Sequence, residues 1–88
     1  MSEAQALLAY PCPFPIKVLG RRAPGFAQQV VSIVLRHAPD FEPASLEMRP
    51  SREGRYLSLT CTVRAISREQ LDALYRELCD HPAVVMVL

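Results

Sequence analysis

Pro24-Gly-Phe-Ala-Gln-Gln-Val-Val-Ser-Ile-Val-Leu-Arg-His37 can be helix or strand, and the choice between them sets the architecture. Its centre, Val30 to Leu35, is β-branched and suits a strand by propensity alone. Three features point to a helix instead. Pro24 suits a first-turn position, Pro39 imposes a stop, and the length between them is that of an ordinary helix. Phe26, Val30, Ile33, Val34 and His37 also recur on one face at helical spacing. The stretch therefore reads as an amphipathic helix, and the segments on either side take their places around it.

Upstream, Phe14 to Leu19 alternates, with Phe14, Ile16 and Val18 facing one way and Pro15, Lys17 and Leu19 the other. That is a strand, closed by Gly20. Residues 1–13 read as a lead-in: a short Ala/Leu-rich piece, then Tyr10-Pro-Cys-Pro13, whose prolines enforce extended backbone. Downstream, Pro43 to Arg49 alternates again, Ser51-Arg-Glu-Gly54 is a turn, and Arg55 to Ile66 is the clearest strand in the chain. Leu57, Leu59, Cys61, Val63 and Ala65 face a core, while Tyr56, Ser58, Thr60, Thr62 and Arg64 face away. Ser67-Arg-Glu-Gln70 is a capping box opening a second helix with Leu71, Leu74, Tyr75 and Leu78 on one side. Asp80-His-Pro82 ends it, and Ala83 to Leu88 is a final apolar strand.

The order is β-α-β-β-α-β, a ferredoxin-like α+β domain over residues 14–88. Right-handed crossovers place both helices on one face of a four-stranded antiparallel sheet. The other face has no helical cover, and Leu19, Tyr56, Val85 and Val87 are expected there, either beneath the N-terminal segment folded over them or open to a partner. An uncovered apolar strip invites a protein partner or self-association, through that face or the edge strand.

Composition narrows the function. Ten basic against nine acidic residues give a net charge of +1, too little to draw in nucleic acid or an anionic membrane by field alone. Cys12, Cys61 and Cys79 are odd in number and contain no CxxC pair, which suits a reducing cytoplasm and argues against a disulfide framework. The N-terminus lacks the basic region of a signal peptide, and no apolar run is long enough to span a bilayer.

Five motifs, in order, resemble the YbeD family of small bacterial proteins. They are Tyr10-Pro-x-Pro-Phe14, Lys17-Val-Leu-Gly20, Arg36-His-Ala-Pro39, Leu74-Tyr-x-Glu-Leu78 and Val85-Met-Val-Leu88. The likeness covers the chain from about Tyr10 to its last residue. It implies an ACT-like domain of uncharacterised function, with a lipoate-related regulatory association. The only lysine, Lys17, lies within a strand, so the chain does not read as an acceptor of covalent lipoate.

No catalytic constellation emerges. Gly20-Arg-Arg-Ala-Pro-Gly25 offers glycines, two arginines and a helix N-terminus, the makings of an anion site. An acylphosphatase built on this fold would also need an Asn to orient water, and the chain has none. Soft-metal carriage would need cysteines after the first strand. His37 and His81 are 44 residues apart without carboxylates at ligand spacing, and read as a packed imidazole and a helix stop. No metal or cofactor is expected. An RNA-binding sheet would need two or three stacking aromatics, where Tyr56 stands alone with Lys17, Arg49 and Arg64. The preferred reading is a non-enzymatic regulatory or interaction module. Gly20, Arg21, Arg22 and Gly25 are its candidate site for a small anionic metabolite, with RNA binding or hydrolysis as alternatives.

Overall fold

The computed structural model describes residues 9–88. The first eight residues of the expected lead-in lie outside them. Strand β1 (Cys12–Arg21) leads into helix α1 (Phe26–His37), then a single 3-10 turn (Pro43–Ser45) and strand β2 (Glu47–Pro50). Strand β3 (Tyr56–Ala65), helix α2 (Arg68–Asp80) and strand β4 (Val84–Val87) complete the domain. The sheet order is β2-β3-β1-β4, antiparallel at every junction. This is the expected ferredoxin-like α+β plait.

The deciding stretch is helical because burial outweighs propensity. Each β-branched residue in a helix gives up roughly 0.5 kcal/mol. Phe26, Val30, Ile33 and Val34 are buried, each worth about 1.5–3 kcal/mol. Arg36 and His37 in the last turn also suit the helix dipole. Pro24 is not inside the first turn as expected. It precedes Gly25, which caps the helix in the left-handed region at φ 80°. Helix α2 packs Leu71, Leu74 and Leu78 against the same layer. Between helices and sheet, Ile16, Val18, Leu59, Cys61, Val63 and Ala65 complete the core with Phe41, a loop residue that sequence patterning had not singled out.

Three further local details depart from expectation. Strand β1 does not stop at Gly20 but runs through it. A Cβ there would stand 2.2 Å from Cζ of Phe26 and 2.8 Å from the Ala83 carbonyl, so only glycine lets α1 close on the sheet. The segment expected as a strand from Pro43 instead begins with the 3-10 turn. The capping box is half formed: the Gln70 amide donates to Ser67 Oγ at 3.0 Å, but Gln70 Oε1 accepts from Ile66 rather than from Ser67.

The sheet edges are blunted. Lys17 exchanges backbone hydrogen bonds with Leu88, at 3.0 and 2.8 Å, so its main chain turns toward β4. Pro15 and Pro13, two and four residues earlier, turn the same way beyond the pairing with β4, and neither has an N–H to offer. On the far side the Ser51 amide donates to the Tyr56 carbonyl, which turns Pro50 outward. The β1–β4 register shifts between Leu19 and Gly20, which makes Val85 an extra residue in the edge strand.

Candidate functional surfaces

The sheet face away from the helices carries three kinds of side chain. Along β1 and β4 it is apolar: Leu19 stands opposite Met86, and Leu88 is held opposite Lys17. Val85, Met86 and Leu88 are 52, 48 and 65% exposed. Over β2 and β3 it is polar, with Glu47, Arg49, Ser58 and Thr60 joined by Lys17 of β1 around a shallow depression. At one end Tyr56 faces Arg21 across the β1–β3 ladder. Arg64 sits at the other end of β3, roughly 27 Å away. Tyr56 and Arg64 therefore cannot grip one nucleotide.

Of the expected contact residues, Leu19, Tyr56 and Val85 lie outside the core. Val87 does not. It pairs with buried Val18 and packs against the core, and Met86 takes the outward place. The cause is the extra residue at Val85, which reverses the alternation on one side of it. No periodicity count reveals a bulge.

The Gly20–Gly25 segment divides into a packing half and an exposed half. Gly20 is buried beneath Phe26. The Arg21 amide donates to the Ala83 carbonyl at 2.8 Å and the Arg22 amide to the Arg55 carbonyl at 2.9 Å, so neither backbone donor is available to a ligand. Both arginine side chains are exposed. Gly25 leaves α1 without a side-chain cap, and the first turn holds no acid.

The two histidines serve the scaffold. His37 Nε2 donates to Glu77 Oε1 at 2.7 Å, and the Arg36 guanidinium binds the other oxygen of the same carboxylate. Gln70 Nε2 adds a bond to the His37 carbonyl at 2.9 Å. His81 accepts the Ala83 amide at Nδ1, 3.1 Å, and donates from Nε2 to Gln29 at 2.6 Å, which fixes a neutral tautomer. Its ring also meets Phe26 edge to face at 5.8 Å. Among the described residues no cluster of His, Cys, Asp and Glu could hold a metal ion. No helix among them is long and apolar enough to cross a membrane.

Residues 5–88 match the model of a family described as a protein of unknown function, DUF493. The chain belongs to this family. It is 57% identical over 84 residues to the UPF0250 protein of Nitrosomonas europaea, covering 96% of this chain and 97% of that one. It is 58% identical to the counterpart from Bordetella pertussis, covering 96% and 92%. The resemblance to the YbeD family read from the motifs agrees with this membership. Among solved structures, the Helicobacter pylori protein HP0495 matches with TM-score 0.75 at 15% identity, over 92% of this chain and 85% of that one. The ACT domain of the GTP pyrophosphokinase of Chlorobium tepidum matches with TM-score 0.68 at 12% identity, over 88% and 97%. Both likenesses establish the ACT-like fold and nothing more.

Two of the motifs that carry the family likeness meet in space. Arg36 and His37 of one both hold Glu77 of the other, tying the last turn of α1 to α2. Arg36 and Glu77 are 57 and 35% exposed, so solvent screening keeps the expected cost of Glu77→Ala to about 1 kcal/mol. Urea unfolding checks it. A double-mutant cycle with His37→Ala should show less than additive loss, and full additivity would mean the contact contributes nothing.

Proposed function

We propose that this domain is a non-enzymatic docking module that presents the open sheet face to another protein surface, with a second copy of the chain the simplest partner. The observation that supports this is the apolar half of the sheet, uncovered among the described residues, where Leu19, Met86 and Leu88 stand side by side. The blunted edges favour the face over the edge: Pro13, Pro15 and Pro50 withhold donors and the Val85 bulge breaks the outer strand, so strand addition is hindered on both sides.

Sedimentation velocity tests the reading. Wild-type protein should sediment as a larger species than Met86→Glu or Val85→Glu, with unfolding midpoints unchanged because both side chains are about half exposed. A wild-type protein that is monomeric at high concentration, and whose face residues shift with no partner, would end the proposal.

The regulatory part of the reading is a small anion held by Arg21 and Arg22. The exposed guanidinium groups and the uncapped end of α1 support it; Gly20 belongs to the core and supplies no contact. The family resemblance suggests lipoate as the anion. Titration with lipoate and octanoate should then shift the resonances of Arg21 and Arg22.

A further inference from the structure

The chain carries a net charge of only +1, but the fold does not spread its charge evenly. The register brings the end of β1 against the β2–β3 hairpin. Arg21 lies opposite Tyr56, and the Arg22 amide bonds to the Arg55 carbonyl. The Arg22 guanidinium reaches the hairpin turn, where a Cβ on Gly54 would stand 3.3 Å from its Nη1. Arg49 lies opposite Ser58 on the outer strand, and Arg52 follows Ser51 in the turn. Five of the chain's cationic side chains thus gather at one end of the sheet. The acid among them is Glu53, 3.9 Å from Arg55, with both side chains at least 75% exposed. Glu47 sits one cross-strand row away, opposite Thr60 in line with Lys17.

The hairpin side of the cluster carries an aromatic and a hollow, which Arg21, Arg22 and Arg49 flank without lining. Ser51, Arg52, Glu53, Arg55 and Tyr56 line a cavity of about 280 Å³. Tyr56 is 41% exposed while its backbone is fixed at both polar atoms: its amide donates to Ser51 Oγ at 3.1 Å and its carbonyl accepts from the Ser51 amide at 2.9 Å. The open N-terminus of α1 lies at this same end. Guanidinium forks from two segments, the end of β1 and the hairpin, suit an anion with several oxygens spaced along it, because each fork can engage two oxygens at once. A monocarboxylate would satisfy one of them.

We infer that this end of the sheet binds an oligophosphate anion, with Arg21, Arg22 and Arg55 on the phosphates and Tyr56 placed to stack the base when the anion is a nucleotide. The inference rests on the anion reading of Arg21 and Arg22, and it changes the ligand class and adds the hairpin.

Nuclear magnetic resonance titration of the full chain at low ionic strength tests it, with tripolyphosphate, a nucleoside triphosphate, octanoate and a short single-stranded oligonucleotide as probes. Tripolyphosphate should shift Arg21, Arg22, Arg55 and Tyr56 and lose affinity as salt rises. Arg22→Gln and Arg55→Gln should each weaken it about tenfold. Arg76→Gln, an equal loss of charge on α2, should not. Tighter binding of the nucleotide, abolished by Tyr56→Ala, would identify a nucleotide as the source; equal binding of the two would identify the phosphate chain alone. Shifts with octanoate but none with tripolyphosphate would overturn the oligophosphate while sparing the anion reading, and no shifts with any probe would remove both. Binding of the oligonucleotide that also engages Lys17 and Arg64 and exceeds the small anions would replace the inference with a nucleic-acid face.

Discussion

Gly20→Ala should destabilise the domain by about 3 kcal/mol, at the upper end of what overpacking one methyl costs. A domain of this size loses about 4–8 °C in Tm for each kcal/mol, so the melting temperature should fall by about 15 °C. The magnitude follows from what the methyl group would strike. One obstacle is the Phe26 ring at 2.2 Å, buried at the start of α1 and unable to swing into solvent. The other is the Ala83 carbonyl at 2.8 Å, which is fixed by its bond to the Arg21 amide. Relief therefore requires α1 to lift or β4 to shift, and either uncovers core. Phe26→Leu removes the ring but leaves the carbonyl, so in that background Gly20→Ala should cost about 1–2 kcal/mol less. Thermal and urea unfolding of the four proteins measure both numbers. A Gly20→Ala protein within about 0.5 kcal/mol of wild type, the usual range of a neutral surface change, would show that α1 does not close on the sheet at this point.

The same residue shows what could and could not be read from the chain. Sequence alone makes Gly20 a strand stop, because glycine ordinarily punctuates; its actual reason is a ring arriving from six residues further on, which only the packed structure reveals. The long elements were legible because burial and periodicity agree in them. Strand β3 alternates without a break from Leu57 to Ala65, and α1 declares its face through Phe26, Val30, Ile33 and Val34 despite its β-branched composition. Legibility failed where one residue breaks a period. Val85 is such a residue: inserted opposite the Leu19–Gly20 step, it sends Val87 into the core and Met86 out. Pro43 is another, since alternation from it onward mimics a strand while the backbone makes a 3-10 turn.

The candidate sites followed the same rule. Leu19 and Tyr56 were placed by strand parity alone and needed no tertiary information. The arginine cluster was half visible, because Arg21 and Arg22 are adjacent in sequence. Its other half comes from a hairpin some thirty residues away, and only the β1–β3 register brings Arg55 alongside Arg22. Charge counting could not find it either, since the acids that balance these arginines lie elsewhere on the molecule. Glu69, Asp72, Glu77 and Asp80 are all on α2.

Alkaline conditions should weaken this domain through one thiol. Cys61 is fully buried in the centre of β3, and burial pushes its pKa from 9.0 up to about 11. Below pH 9 the thiol is neutral in both folded and unfolded chains, and its contribution to stability is complete. Between pH 9 and about 11 the unfolded chain releases the proton while the folded one holds it. Stability then falls across that window, by roughly 2–3 kcal/mol in all. Tyr75 acts in the same direction from 10.0, raised first by burial and then by the nearby Cys79. Cys61→Ala separates the two. It should cost about 1 kcal/mol at neutral pH through the lost sulfur contacts but flatten the decline above pH 9. Urea midpoints across that range measure the difference in slope between the two proteins. Thiol labelling supplies an independent reading: exposed Cys79 should react at once, half-buried Cys12 more slowly, and Cys61 only as fast as the whole domain opens. Equal alkaline slopes for wild type and Cys61→Ala, or native-state labelling of Cys61 at the rate of Cys79, would mean the centre of the sheet is not shielded from water, and the packing of both helices over that one face would have to be abandoned.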